Sequence, residues 1–280
     1  MIRRRFCLFS RKVFSIIRIS TIINLITTIL LGFICFEGGF HMTCSSTEAT
    51  PYSMEVMTTK LFTYLDQNIQ QTFGSNGQAL LKKAVETFGF ADAEKIASIA
   101  TNEGEIHTLF TYLPTTITVT ENYASLTPFA RFAKLFAFIS QQIVDTYGTH
   151  GEEIIQKSVW QFGEKRGFGI AQRARAKGLP NTIENYLTNY DMGRSELFVY
   201  TDDYREQEIE QTFTRCPFGN QWADDGMHAY GIHYCKVIDN AIAYGYNNHF
   251  DVVHDEFLLK TGACHFLFQM KDKAVQPKYD

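Results

Sequence analysis

The chain has 280 residues, of which 45% are hydrophobic and 20% charged, a balance typical of a globular protein that buries a core. Its formal net charge of −4 argues against nucleic acid as a partner, because binding phosphates needs a clustered excess of Lys and Arg. Six Cys in a chain of this length do not make a disulfide scaffold.

Residues 1–41 differ in composition from the rest of the chain. They carry six basic side chains and one acid, which leaves 20 basic and 29 acidic residues in 42–280. Residues 19–36 are uncharged and reach the lower length limit of a membrane-spanning helix, and the basic residues before them resemble a signal-anchor. Alternatively, the Glu-Gly-Gly at 37–39 followed by Met42 is typical of a bacterial ribosome-binding site read as protein. We expect translation to start at Met42. In that case the unpaired cysteines favour a cytoplasmic protein; the alternative is a protein anchored in the membrane through about residues 19–36.

An internal repeat follows this leader. At a constant offset of 74 positions, residues 62–113 align with residues 136–187 without a gap. The recurring residues include Phe62, Gln67, Ile69, Thr72, Gly74, Gly77, Lys83, Val85, Phe88 and Gly89, which return as Phe136, Gln141, Ile143, Thr146, Gly148, Gly151, Lys157, Val159, Phe162 and Gly163. Repeated helical units usually pack against each other, so we expect a duplicated helical scaffold.

Each copy is predicted to contain three helices. In the second copy, apolar residues recur at spacings of three and four between Phe132 and Tyr147, which predicts a helix that ends at Gly148. A short helix is expected to start at Asn181. The remaining predicted helices lie at 151–162 and 163–177 in the second copy and at 55–73, 78–88 and 92–103 in the first.

After residue 195 the hydrophobic period changes from 3.6 to 2, which predicts strands. The expected elements are strands at 196–201 and 208–215, a helix start at Pro217, a long helix at about 226–244, and a hairpin of strands 251–259 and 263–271. This ββαββ order predicts an α+β fold with a small antiparallel sheet after the duplicated helical unit. We expect three regions: the leader at 1–41, a degenerate helical repeat at 42–130, and an α+β domain at 131–275.

Three cysteines in the C-terminal region could take part in chemistry: Cys216, Cys235 and Cys264. Cys216 precedes Pro217 at a strand-to-helix junction, where the helix N-terminal amides are expected to lower the pKa of its thiol. Cys235 and Asp239 are predicted to lie one turn apart on the same face of the long helix. Each thiol could instead be a core residue, which Cys264 in its apolar strand fits best. The spacings lack the C-x-x-C pairs of structural zinc sites, so no metal is expected.

A basic cluster lies near the end of the second copy, at Arg166, Arg173, Arg175 and Lys177. We interpret it as a solvated helix face, with the alternative that it receives a substrate carboxylate. The glycines at 163, 167 and 169 lack the preceding strand that a dinucleotide-binding loop needs, so that interpretation is discarded.

The C-terminal residues resemble a known family. The resemblance rests on Cys216-Pro217, Trp222, Gly226, Tyr234-Cys235-x-x-Ile238-Asp239, Gly245-Tyr-Asn247 and Gly262-x-Cys264-x-Phe266. Together these residues are similar to the L-2-amino-thiazoline-4-carboxylic acid hydrolase family over about residues 136–271. Residues 42–123 depart from that family, since they look like an extra copy of its helical part without the cysteines.

The resemblance implies a hydrolase that opens a cyclic amidine or isothiourea, replacing a ring C–S bond with C–O. The implied partner is a small amino-acid-like heterocycle, and no cofactor is expected. Cys235 or Cys216 would act as the nucleophile, and Asp239 would pair with the amidinium. The full set of candidates is Cys235, Cys216, Asp239, Cys264 and His254 for catalysis, with His233 as an alternative base, and Trp222, Tyr234 and Arg173 for substrate binding.

The competing hypothesis is a non-catalytic module that binds a small ligand or senses redox state. In that case the cysteines would pack in the core or become oxidised. Thiol labelling discriminates between the two, because one fast-reacting thiol favours the enzyme and three inert thiols favour the module. The sequence indicates no particular oligomeric state.

Overall fold

The computed structural model describes residues 52–117, 126–192, 196–277 and 279. The leader at 1–41, with its candidate membrane segment at 19–36, lies outside the described residues. Within these described ranges, no helix has the length and apolar character needed to cross a lipid bilayer.

The first helical copy consists of α1 (Met54–Phe88) and α2 (Phe90–Asn102), followed by one 3₁₀ turn at Leu109–Tyr112. Helix α1 begins at Ser53, whose hydroxyl oxygen accepts a hydrogen bond from the Val56 backbone N–H at 3.1 Å. The predicted interruption after residue 73 occurs at Gly74, where φ is 57° and ψ is −140°. The chain then resumes the helix at once, so the two predicted helices form one interrupted element.

The second copy repeats this geometry in α3 (Pro128–Tyr147) and α4 (Thr149–Ala176), and a short helix α5 (Ile183–Thr188) follows. Thr127 caps α3 as Ser53 caps α1, since its hydroxyl oxygen accepts from the Ala130 N–H at 3.1 Å. Gly148 adopts φ 56° and ψ −136°, nearly the values of Gly74. The predicted duplication is therefore confirmed in the backbone, down to its caps and its interruption.

The C-terminal region forms one antiparallel sheet with helices inserted between its two hairpins. Its strands lie in the order β1-β2-β4-β3, and the expected α+β fold is confirmed. The elements in chain order are β1 (Val199–Arg205), β2 (Glu208–Arg215), α6 (Pro217–Asp224), α7 (His228–Cys235), α8 (Ile238–Tyr246), β3 (Phe250–Glu256), α9 (Leu258–Thr261) and β4 (Cys264–Met270).

The long helix predicted at about 226–244 is divided into α7 and α8. The break falls at Val237, which is fully buried and adopts φ −128° and ψ −38°, outside the helical range. Cys235 therefore ends α7 and Asp239 lies in the first turn of α8. The prediction that these two residues share one helix face is wrong, because they belong to two different helices, although both line the cavity described below.

The predicted break between helices at residues 162 and 163 is also wrong, because α4 runs without interruption through that point. The glycines of this stretch serve close packing instead. A Cβ on Gly163 would lie 2.6 Å from the Cβ of Ala241, and one on Gly167 would lie 2.0 Å from the Ile242 carbonyl oxygen. Helix α4 thus packs on α8 with backbone against backbone, which any larger residue would prevent.

A continuous cluster of buried apolar side chains runs through both helical copies and the C-terminal elements. Helix α1 packs against α3 and α4, and α4 makes its most extensive contact with α8. The two copies therefore pack against each other, as the duplication leads one to expect. The division of the chain between residues 130 and 131 stays a prediction.

Candidate active site

A cavity of about 170 Å³ lies between the sheet and the helices α4 to α8. All four strands contribute residues to its wall. A cavity of roughly 150 Å³ holds one benzene molecule, so this one fits a single small ring with short substituents.

All five candidate catalytic residues line this cavity. They are Cys216, Cys235, Asp239, His254 and Cys264, and they come from five different elements or their ends. Tyr234, a candidate for substrate binding, lies in the same wall. No group of three or more His, Cys, Asp or Glu side chains with the geometry of a metal site occurs within the described ranges.

Three further candidates lie outside the cavity wall. The Trp222 side chain is fully buried, and its Nε1 donates to the Ala133 carbonyl oxygen at 2.8 Å. The Arg173 Nε donates to the Asn189 carbonyl oxygen at 3.0 Å. His233, the alternative base, is buried with its Nδ1 3.1 Å from the side-chain amide nitrogen of Gln156. Their observed contacts are with the protein itself rather than with the cavity.

The three thiols are free, and all have raised pKa values. Burial raises the pKa of Cys216 to about 12, and the nearby backbone amides at the start of α6 offset only part of that rise. Burial raises the pKa of Cys264 to about 11. It raises the pKa of Cys235 well above the ordinary value, and the neighbouring thiols and Asp239 add to that rise. The predicted lowering of the Cys216 pKa is therefore wrong, because desolvation of the thiolate outweighs the amides.

Asp239 brings a carboxylate into the cavity from the first turn of α8. Burial raises the pKa of Asp239 to about 6, and the positive charge of Arg166 offsets part of the rise. The group is still mostly ionised at pH 7, and it is a stronger base than an exposed carboxylate. It can therefore pair with a cationic ligand or accept a proton inside the cavity.

The two ring nitrogens of His254 have different roles: one is hydrogen-bonded to the backbone and the other is available to a ligand. Its Nδ1 lies 3.1 Å from the Cys235 carbonyl oxygen, and because a carbonyl only accepts, Nδ1 carries the proton. Nε2 then holds a lone pair, and this buried nitrogen has no hydrogen-bond partner in the part of the chain that the structure describes. Burial lowers the pKa of His254 to about 4, so the imidazole is neutral at pH 7.

Arg166 supplies a buried positive charge to the cavity from the middle of α4. Its Nε donates to Asp191 Oδ2 at 3.0 Å and its Nη2 to Oδ1 at 2.8 Å. Burial is the largest single effect and lowers the pKa of Arg166, but Asp191 together with Tyr190 and Tyr234 raises it to well above its ordinary value. The interpretation of this residue as part of a solvated helix face is wrong, because its side chain is only 5% exposed.

Aromatic side chains form most of the remaining wall, and the sequence analysis missed most of them. Along β4, Cys264, Phe266 and Phe268 alternate toward the cavity, and this period of two is the signal that could have found them. The aromatic members of the wall are Tyr186, Tyr190, Phe198, Tyr200, Phe213, Phe218, Tyr234, Phe266 and Phe268.

Comparison with known proteins places the cavity inside one recognisable segment. The model of the L-2-amino-thiazoline-4-carboxylic acid hydrolase family matches residues 128–268, and every residue that lines the cavity lies in that range. No curated protein matches the sequence. Among solved structures, the chain is similar to one described as "Probing the function of heme distortion in the H-NOX family", with 10% identity and a TM-score of 0.35 over 80% of this chain and 100% of that one.

Proposed function

This chain belongs to the L-2-amino-thiazoline-4-carboxylic acid hydrolase family, and we propose that it opens a cyclic amidine or isothiourea by a cysteine-dependent hydrolysis. The observation that carries the proposal is the content of the cavity: three thiols, one ionised carboxylate and one unpartnered imidazole nitrogen. A thiol nucleophile, a partner for a cationic amidine and a base are the groups that this reaction needs.

In the first step, Asp239 pairs with the protonated amidine and a thiol attacks the amidine carbon. We assign the attack to Cys216 or Cys235. Both thiols have raised pKa values, so the proton leaves during the attack rather than before it, and the bound cation favours the negative sulfur. The ring C–S bond breaks, and the departing sulfur takes up the proton. The product of this step is an isothiourea joined to the enzyme sulfur.

In the second step, water attacks the same carbon and the enzyme thiol leaves. His254 Nε2 accepts a proton from the water, because its lone pair has no other partner among the described residues. The protonated imidazole returns that proton to the departing enzyme thiolate, and the amidinium proton passes to Asp239 and from there to solvent as the neutral carbamoyl group forms. The sum of the two steps adds one water molecule to the substrate and yields an N-carbamoyl product with a free thiol.

The test is turnover of 2-amino-thiazoline-4-carboxylic acid by the full chain, followed as product mass after chromatography. We expect a mass gain of one water and loss of nearly all turnover when the nucleophile is replaced in Cys216→Ser or Cys235→Ser. Cys44→Ser, outside the family segment, is the matched control and keeps full turnover. Full turnover in each of Cys216→Ser, Cys235→Ser and Cys264→Ser would end the thiol mechanism.

A second candidate is a non-catalytic module that binds a small ligand. The raised pKa values of all three thiols favour it, because a protonated thiol is a poor nucleophile. Thiol labelling with and without the cyclic amidine distinguishes the two. If the protein is a hydrolase, the bound cyclic amidine selectively raises or lowers the labelling rate of one thiol. If all three thiols are labelled equally slowly and there is no turnover, the binding module is supported.

A further inference from the structure

Arg166 is fixed in the cavity wall by contacts on several sides. Its bidentate pair with Asp191 uses Nε and Nη2, at 3.0 and 2.8 Å, so Nη1 is not part of that pair. The guanidinium carbon lies 5.4 Å from the Phe162 ring centroid and 5.5 Å from that of Tyr190. A guanidinium held in this way has lost its conformational freedom before any ligand arrives, which favours tight and specific binding.

Arg166 and a second arginine, Arg173, act on the same buried carboxylate. Asp191 is nearly fully buried, and its charge acts on both Arg166 and Arg173. The Nε of Arg173 donates to a backbone carbonyl oxygen, and its buried Nη2 has no hydrogen-bond partner among the residues described. Two guanidinium groups thus act on the same buried carboxylate, and neither forms an ion pair with Asp239 among the described residues. An anionic ligand group at this end of the cavity would meet a guanidinium with which it can pair.

The opposite charge in the cavity belongs to Asp239. Both residues line the wall, yet no ion pair joins Arg166 to Asp239 in the described ranges. The cavity wall therefore carries a guanidinium held by Asp191 and a carboxylate whose Oδ2 lies 3.9 Å from His254 Nδ1, and aromatic side chains form most of the remaining wall. A ligand that fits this pattern is small, flat and charged at both ends, with an anion for Arg166 and a cation for Asp239.

We propose that Arg166, held in place by Asp191, binds the carboxylate of the substrate and makes the enzyme specific for amino-acid-like cyclic amidines over those that lack a carboxylate. The inference rests on the proposed function, in which Asp239 takes the amidinium. With both ends of the substrate held, its amidine carbon has a fixed position relative to the thiols. Arg166 would then set specificity without taking part in bond making or breaking.

The test compares two compounds on the full chain: 2-amino-thiazoline-4-carboxylate and 2-amino-thiazoline, which keeps the ring, the amidine and the scissile bond. We expect kcat/KM to be about 10- to 100-fold higher for the carboxylate, the range that charged hydrogen bonds supply. The variant pair Arg166→Gln with Asp191→Asn removes both members of the buried ion pair, so neither of them is left buried without the other. In this double variant we expect the two compounds to react equally, with the loss confined to the carboxylate.

The matched control is Arg131→Gln with Glu55→Gln. Arg131 is another buried arginine with acidic partners, 3.3 Å from Glu55, and it does not line the cavity. We expect this control to keep the discrimination between the two compounds. A purely structural role for Arg166 predicts that both double variants behave alike.

Thermal stabilisation by each compound separates failure of the inference from failure of the proposed function. Turnover of both compounds at the same kcat/KM in the wild-type protein overturns the inference and leaves the hydrolase in place. Carboxylate-selective stabilisation that is lost in the Arg166 double variant, without any turnover, supports the inference and overturns the hydrolase. Neither turnover nor stabilisation by either compound overturns both.

Discussion

The two helical copies share a backbone but differ in what their second helices pack against. Both begin at a hydroxyl cap and both are interrupted at a glycine with nearly identical angles. Further along, the second copy continues as one helix through Gly163, whereas the first copy breaks at Gly89, where φ is 112°. Gly89 and Gly163 are equivalent in the repeat but have different roles, because only Gly163 lies at contact distance from a neighbouring helix.

The positions that follow carry the functional difference. Arg166 and Gly167 of the second copy correspond to Asp92 and Ala93 of the first. Gly167 lets α4 touch α8, and Arg166 lies in the cavity wall, while Asp92 accepts a hydrogen bond from Arg131 Nε at 3.1 Å between the two copies. Duplication supplied the scaffold twice, but the site formed only where a copy meets the C-terminal helices and sheet.

The largest expected contrast between the copies is in their buried charges. Asp191→Ala would leave Arg166 buried without its partner, which we expect to lower the free energy of unfolding by about 3–5 kcal/mol. Asp92→Ala removes a carboxylate that is 18% exposed, and Arg131 keeps Glu55, so we expect a loss of about 1 kcal/mol. Urea unfolding of both variants at pH 7 measures the difference. Equal losses would mean that the charge beside the cavity is no more desolvated than the one between the copies.

A second expected contrast is in pH dependence, which arises on the cavity side of the molecule. The folded-state pKa of Asp239 is raised from 3.8 to about 6, so this residue makes stability fall as pH rises through that window. The pKa of His254 is lowered from 6.5 to about 4, so this residue makes stability rise with pH over nearly the same window. Each of these changes in pKa corresponds to about 3 kcal/mol of stability, and the two opposing effects largely cancel in the wild-type protein.

Single substitutions separate the contributions of Asp239 and His254 to the pH dependence of stability. In Asp239→Asn we expect stability to rise by about 2–3 kcal/mol between pH 4 and 6.5, because only the His254 effect is left. In His254→Gln we expect a fall of similar size between pH 4 and 6. Gly74→Ala in the first copy serves as control, since it should shift the whole curve without changing its slope. Urea midpoints across this pH range give the measurement, and parallel curves for all variants would contradict the shifts.

The sequence predicted those features that depend on neighbours along the chain. The repeat, the helix that ends at Gly148 and the antiparallel sheet follow from spacing and period, and the structure confirms them. The unbroken helix through Gly163 could not be predicted, because the reason for that glycine is Ala241, far away in the sequence. The same holds for Arg166, whose burial depends on Asp191 and on the cavity.

The candidate site shows the same division. Motif resemblance pointed to Cys216, Cys235, Asp239 and Cys264, the need for a base added His254, and all five line one cavity. The pKa values of these groups could not be predicted from the sequence. The sequence shows that a helix starts beside Cys216, but it does not show that the Cys216 thiol is buried. Desolvation proved to be the larger effect on the pKa of that thiol.

The smallest expected effect tests the likeness of the copies rather than their difference. Gly74 and Gly148 both have positive φ, and a Cβ at either position would meet no atom within 4 Å. Replacement by Ala therefore adds backbone strain without a clash, and we expect Gly74→Ala and Gly148→Ala each to lower the free energy of unfolding by about 1–2 kcal/mol. Equal losses in urea unfolding would show that the interruption is a local property of the repeated sequence. If Gly148→Ala costs more than Gly74→Ala by over about 1 kcal/mol, the interruption in the second copy is held more rigidly than that in the first. The added rigidity would then come from packing against the C-terminal helices and sheet.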